Sequence, residues 1–138
     1  MLARRPFGSP EALHGAARAV WASLAREDFL EAFSHHPPIG GDLAELRARF
    51  ALTAAWSSEE QAAVASASDE TLLELKAANQ AYLERFGFLF IVCASGRSVE
   101  QLLSALRARL GNDPARELSV AAEEQAKITE LRLDKLTP

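Results

Sequence analysis

The residues best suited to do chemistry begin with two adjacent histidines, in the stretch SHHPPIGGD from Ser34 to Asp42. An unperturbed imidazole titrates at about pH 6.5, so a histidine held in place can donate or accept a proton at neutral pH. Pro37 directly follows His36 and restrains its backbone, which makes His36 the better held of the pair. His35 remains a competitor, and either residue could simply be a loop histidine that contacts water or caps a helix.

A second polar group is WSSEEQ, in which Ser57 precedes Glu60 by three residues. This spacing is typical of a capping box at the start of a helix, and that structural role alone would explain it. A helix N-terminus also presents unbonded N–H groups and a positive dipole end. Ser57, Glu60 and Gln61 could therefore direct a hydroxyl, a carboxylate and an amide towards a polar ligand.

A third candidate is Arg132, near the end of the chain. It follows Ile128 by four residues, which predicts that it is partly buried beside the apolar face of the last helix. Its guanidinium could bind a carboxylate or a ureido oxygen. It could equally lie over the core with its charged head in solvent.

Other catalytic templates are absent from the sequence. The glycine pair Gly40-Gly41 lacks the lysine and the preceding strand of a phosphate-binding loop, and no serine lies in a nucleophile elbow. The histidines at positions 14, 35 and 36 do not have a two-histidine metal spacing on one helix face, so no metal site is expected. Cys93 is the single cysteine, which excludes an intramolecular disulfide and favours a reducing, cytoplasmic compartment.

The elements that must position these residues are predicted to be helices throughout. The sequence predicts an all-α, single-domain, compact bundle of about seven helices over residues 1–138, with no sheet. The stretch FLFIVCA has the β-branched and aromatic content of a strand, but no second run could pair with it. We therefore interpret it as a buried helical turn or an extended segment. The helix starts are expected at Ser9, Asp28, Asp42, Ser57, Ser68 or Asp69, Ser98, and about Ala115.

Composition limits the possible partners. With 138 residues and a formal net charge of -4, the chain can form one domain with a real core and has no basic surface for nucleic acid. No apolar run is long enough to span a bilayer. The N-terminus, MLARRPFGSP, lacks the apolar core of a secretory signal.

In order and spacing, several motifs together resemble the family of 2-oxo-4-hydroxy-4-carboxy-5-ureidoimidazoline (OHCU) decarboxylases. They are RPF, SHHPPIG, S-x-x-EQ, N-x-x-Y-x-x-RFGFLFIVCASGRS, RLGND…E and KITELRL, and they extend from about Arg5 to Leu136. The resemblance implies an all-helical, cofactor-free decarboxylase, commonly a homodimer, that forms (S)-allantoin from a small ureidoimidazoline in urate catabolism.

The resemblance also implies roles for particular residues. His36 matches the catalytic histidine of the HPxIG element, and Pro37 lines the pocket. Glu60 would hold the ureido N–H groups or orient His36. The substrate would be bound by Ser57, Gln61, Arg132 and the main chain of Phe90, Ile91, Val92, Cys93 and Ala94.

The sequence departs from the family at two places. Pro38 stands where many members have a polar residue, and the chain starts close to RPF without the additional N-terminal helical segment that many members have. A non-enzymatic helical scaffold is the alternative function, in which Ser57 and Glu60 only cap a helix. A different small-acid lyase on the same fold is a third possibility.

Overall fold

The computed structural model of the protein describes residues 1–36 and 68–137. The regular secondary structure of these residues is helical, with no strand among them. The described residues form five α-helices rather than about seven. The helices predicted to start at Asp42 and Ser57 lie outside the described residues. A short 3₁₀ helix, Leu2–Arg4, precedes α1 (Pro10–Ala22), α2 (Arg26–Ser34), α3 (Asp69–Phe86), α4 (Val99–Arg109) and α5 (Pro114–Leu136).

The predicted helix starts agree with the structure where side chains cap them. The hydroxyls of Ser9, Ser68 and Ser98 accept hydrogen bonds from main-chain N–H groups three residues on, and Gln101 completes a capping box with Ser98. At α2 the predicted N-cap, Asp28, is three residues after the observed N-cap, Ala25. The carboxylate of Asp28 accepts from the N–H of Ala25 at 2.8 Å, so this acid lies inside the first turn.

One hydrophobic core joins the helices. The aromatic rings of Tyr82, Phe86 and Phe88 pack with centroids 4.7–6.0 Å apart, and Trp21 connects α1 to α5 by donating to the carbonyl of Ala122 at 2.9 Å. Each fully buried large apolar side chain stabilises the fold by roughly 1.5–3 kcal/mol. The core cluster consists of Phe33, Leu72, Leu75, Tyr82, Phe86, Phe88, Ile91, Val99, Leu103, Leu106, Ala121 and Ala122.

The FLFIVCA stretch lies in the connection between α3 and α4, residues 87–98. It contains neither a helical turn nor a strand, which leaves the extended segment as the surviving alternative. Side chains of neighbouring helices bond its main chain: Arg109 Nη1 donates to the carbonyl of Ile91 at 2.7 Å, and the N–H of Cys93 donates to Glu124 at 3.2 Å. These bonds replace the partners that a sheet would have supplied.

A buried polar network anchors this connection. Glu117, which is fully buried, accepts from the Tyr82 hydroxyl and from Arg109 Nε, both at 2.6 Å, and from Asn112 Nδ2 at 2.9 Å. The Arg109 guanidinium also lies over the Phe90 ring, 4.5 Å from its centroid. A buried carboxylate and guanidinium are tolerated only with such complete bonding. The sequence alone did not identify Arg109 or Glu117 as a buried ion pair.

The network makes a prediction about Tyr82, which is the single tyrosine of the chain. Burial and the hydrogen bond to Glu117 raise the pKa of Tyr82 well above its ordinary value of 10.0. The folded state therefore holds the phenol proton more tightly than the unfolded state. This contribution to stability is complete below about pH 10 and is lost as the pH rises further.

In an alkaline titration, we expect the phenolate ultraviolet absorbance to appear only together with the loss of helical circular dichroism. The same chain in denaturant serves as the control and should titrate at about pH 10. A phenolate that forms near that pH while the helices remain intact would contradict the buried network.

Candidate functional site

The candidate catalytic histidine lies just beyond the end of α2. His35 is the C-cap residue and is exposed, whereas His36 is half-buried and its N–H bonds the carbonyl of Phe33 at 3.1 Å. His36 Nε2 lies 2.5 Å from Oε1 of Gln125 on α5. The main-chain N–H of His35 is also bonded, to the carbonyl of Ala32 at 3.3 Å, so the contact with Gln125 is what distinguishes His36 from His35 among the described residues.

Glu124 and Gln125 are polar residues at buried positions, which is unusual. Both Glu124 and Gln125 are 7% exposed, on the inner side of α5. Buried polar groups are costly unless they are hydrogen-bonded, and no buried side-chain nitrogen or oxygen among the described residues lacks a partner. The side chains of Glu124 and Gln125 are therefore held by specific hydrogen bonds or ion pairs.

Glu124 contacts the α3–α4 connection. Its carboxylate accepts from the main-chain N–H of Cys93, lies 3.5 Å from Arg97 Nη2, and lies 3.4 Å from Lys127 Nζ. Two cations and one N–H thus surround a buried anion, which compensates its desolvation. Neighbouring positions of α5 therefore contact two predicted site elements, His36 and Cys93.

The predicted main-chain binding segment is only partly available for new hydrogen bonds. Ile91 is buried, and its carbonyl is occupied by Arg109, while the N–H of Cys93 is occupied by Glu124. The carbonyl of Ala94 accepts from the N–H of Arg97 at 3.1 Å. Phe90 and Val92 are half-buried. Within the described part of the chain, no hydrogen bond occupies the main-chain groups of Val92.

Arg132 does not have the predicted environment. It is exposed rather than partly buried. Its position on α5 is nevertheless informative, because it follows Gln125 by seven residues and so lies on the same side of the helix, about 10 Å further along the axis.

Four predicted site residues lie outside the described residues: Pro37, Ser57, Glu60 and Gln61. Of the other predicted site residues, the structure brings His36 and Cys93 to neighbouring positions of α5, where they contact Gln125 and Glu124. Among the described residues, no group of three or more histidine, cysteine or acidic side chains could hold a metal ion. None of the described helices combines the length and the apolar character needed to cross a bilayer.

Sequence reasoning missed Glu124 and Gln125, although a signal was present. The apolar stripe of α5 runs through Leu118, Ala121 and Ile128. Gln125 lies four residues after Ala121 and three before Ile128, where the helical period requires another apolar residue. A polar residue at a position that the pattern assigns to the core indicates a buried hydrogen bond.

Together, the fold and the site define a small all-helical protein whose candidate reactive group is a histidine held by a buried amide. The family of OHCU decarboxylases matches residues 1–134. The chain belongs to this family.

Two relatives and one solved structure give the scale of the similarity. The chain is 44% identical over 133 residues to "Uric acid degradation bifunctional protein TTL" of Arabidopsis thaliana, covering 95% of this chain and 40% of that protein. It is 39% identical over 102 residues to the 2-oxo-4-hydroxy-4-carboxy-5-ureidoimidazoline decarboxylase of Amia calva, covering 73% of this chain and 57% of that protein. The chain thus spans less than two thirds of either relative.

The solved structure is an OHCU decarboxylase crystallised in the presence of (S)-allantoin. Its TM-score to this protein is 0.78 at 39% sequence identity, and the match covers 97% of this chain and 85% of that one. Almost the whole chain therefore has the fold of that enzyme.

The contacts of Glu124 give a testable prediction. In Glu124→Ala, the N–H of Cys93 loses its acceptor and Arg97 loses its buried partner. We expect the free energy of unfolding in urea to fall by about 1–3 kcal/mol, with faster amide hydrogen exchange at Cys93.

The matched control is Glu123→Ala, one residue earlier on α5, where the side chain is exposed. A surface change of this kind should alter stability by no more than about 0.5 kcal/mol. Equal stability losses in both variants, or unchanged exchange at Cys93 in Glu124→Ala, would show that Glu124 does not hold the connection.

Proposed function

We propose that the protein is a cofactor-free carboxy-lyase that converts 2-oxo-4-hydroxy-4-carboxy-5-ureidoimidazoline to (S)-allantoin in urate degradation. Family membership and the names of its relatives support this substrate and reaction. The observation that carries the proposal is that neighbouring positions of α5 contact both His36 and Cys93. Two elements that lie far apart in the sequence are thereby brought to one side of one helix.

The chemistry follows from the substituents of the substrate. Its C4 carries both a hydroxyl and a carboxylate, and C5 carries the ureido group and belongs to the ring C=N bond. When the bond from C4 to the carboxylate breaks, carbon dioxide leaves and the electron pair of that bond forms C4=C5. The π electron pair of the C=N bond then moves onto the ring nitrogen, which takes a proton. The resulting enol loses its hydroxyl proton to form C4=O, and C5 gains a proton. The ring thus absorbs the electron pair that a cofactor would otherwise have to accept.

His36 is the proposed proton carrier. A neutral imidazole can take the hydroxyl proton of the enol, and the imidazolium can return a proton to C5. Delivery to one face of the ring would give a single enantiomer of allantoin. Glu60, whose role rests on the family resemblance alone, would orient His36 or hold the ureido N–H groups.

The remaining predicted residues would bind the substrate. Ser57 and Gln61 would fix polar atoms of the ring and the ureido group, and Pro37 would line the pocket. Arg132, exposed in this structure, would bind a carboxylate or carbonyl oxygen of the substrate. Within residues 90–94, the main-chain groups of Phe90 and Val92 would be available to the substrate, because the described residues bond only the Ile91 carbonyl, the Cys93 N–H and the Ala94 carbonyl.

Three further features belong to the same proposal. Residues 1–138 would form one domain of about seven helices, with the predicted third and fourth helices between α2 and α3. The resemblance supports a homodimer, and the single cysteine supports a cytoplasmic location. No nucleic acid or membrane partner is proposed.

The direct test generates the unstable substrate from urate with urate oxidase and hydroxyisourate hydrolase. We expect the protein to accelerate the decay of the substrate's ultraviolet absorbance and to give optically active allantoin. The control is the same mixture without the protein. Unaccelerated decay with racemic product would reject the proposed activity and favour the helical scaffold. A melting temperature that does not rise when allantoin is added would favour the scaffold as well.

A pair of variants tests the choice of histidine. His36→Ala should lose about 10²–10⁴-fold in rate, the contribution of a positioned acid or base, while retaining its helical circular dichroism. His35→Ala is the matched control and should remain active, because His35 is exposed at the helix end. If the two variants behaved the other way round, His35 would be the catalytic residue.

A further inference from the structure

Gln125 has a buried side-chain amide with one hydrogen-bond partner among the described residues. Its side chain is bonded to His36, and none of the other described residues bonds it. Its main-chain carbonyl accepts separately from the Thr129 hydroxyl at 3.1 Å. An apolar residue at this position would continue the stripe of α5 and would avoid the desolvation of an amide. The contact with His36 is therefore the only described interaction that explains a glutamine here.

The orientation of the Gln125 amide, with its oxygen towards the ring, determines which nitrogen of the imidazole carries the proton. An amide oxygen can only accept a hydrogen bond, so His36 Nε2 must be the donor. In the neutral ring, the second nitrogen, Nδ1, is then an acceptor with an available lone pair. None of the described residues bonds to His36 Nδ1.

We infer that Gln125 is a positioning residue that holds His36 in the Nε2-protonated form and leaves Nδ1 as the nitrogen that exchanges protons with the substrate. The inference rests on the proposed function for its substrate, but its structural part concerns only the two side chains. Gln125 acts through His36 and does not itself touch the reacting atoms. Its loss should therefore reduce kcat and leave KM nearly unchanged.

The first measurement is independent of catalysis. Long-range proton–nitrogen spectra of ¹⁵N-labelled protein show which ring nitrogen of each histidine is protonated, and the chain has only three histidines. His36→Gln identifies the His36 signals. In the wild type, we expect a protonated Nε2, an unprotonated Nδ1 and a downfield ring N–H proton, because a hydrogen bond deshields its proton.

Gln125→Met removes the acceptor and keeps the length of the side chain. We expect the downfield N–H signal to disappear and the His36 nitrogens to show averaging between the two neutral forms. In the decarboxylation assay, kcat should fall about tenfold or more, which is part of the 10²–10⁴-fold that a positioned acid or base contributes. Gln125→Glu, which retains an acceptor oxygen, should keep the N–H signal.

The matched control is Gln80→Met, the same exchange at an exposed position of α3, where the Gln80 amide donates to the carboxylate of Glu84. It should change neither the His36 spectrum nor kcat. If Gln125→Met fails to fold, the reciprocal measurement replaces it. The side-chain amide signals of Gln125 should then shift in His36→Ala relative to the wild type.

Several results would overturn the inference. They are a wild-type His36 protonated at Nδ1, an unchanged His36 spectrum in Gln125→Met, or unshifted Gln125 amide signals in His36→Ala. In an active protein, an unchanged kcat in Gln125→Met would also overturn it. A wild type with no decarboxylase activity would instead reject the proposed function, and the spectra would still decide whether Gln125 sets the protonation of His36.

Discussion

The fold depends on hydrogen bonds from buried side chains to the irregular main chain of the α3–α4 connection. The α3–α4 connection places Phe88 and Ile91 in the core, and the described residues contain no strand that could bond its N–H and carbonyl groups. Buried side chains do this instead, through Arg109 to Ile91 and Glu124 to Cys93. Such groups are tolerated in a core only when every donor and acceptor is used, so the connection and its partners must form together.

Helix α5 carries the buried acidic and amide side chains of this part of the structure. Glu117, Glu124 and Gln125 are all buried on it, and the first two are seven residues apart on one side of the helix. Glu117 neutralises Arg109, Glu124 holds the connection, and Gln125 holds His36. The same rigid element therefore fixes both the main-chain segment and the imidazole of the candidate site, and it carries Arg132 two turns further on.

The sequence predicted the local features well and the long-range polar pairs poorly. Serine caps, the all-helical class and the FLFIVCA connection follow from signals within a few residues, and they agree with the structure. The bond between His36 and Gln125 joins residues 89 positions apart, and no local rule pairs them. Arg132 was placed by helical angle alone, which does not show whether neighbouring elements cover it. Arg109 and Glu117 stand out in the sequence only as letters of a family motif, and no local rule pairs them with Tyr82 or Asn112 in the buried network.

An amide beside His36 suits the proposed role of this histidine, which is to exchange a proton in both directions. A carboxylate at Gln125 would also orient the ring, but its charge would favour the protonated imidazole and oppose proton return. An amide oxygen orients the ring without adding charge. The nearest carboxylate along α5, that of Glu124, is directed instead at Arg97, Lys127 and the N–H of Cys93, which compensate its charge. The protein thus places a neutral acceptor against the imidazole and uses the buried carboxylate of Glu124 to hold the main chain.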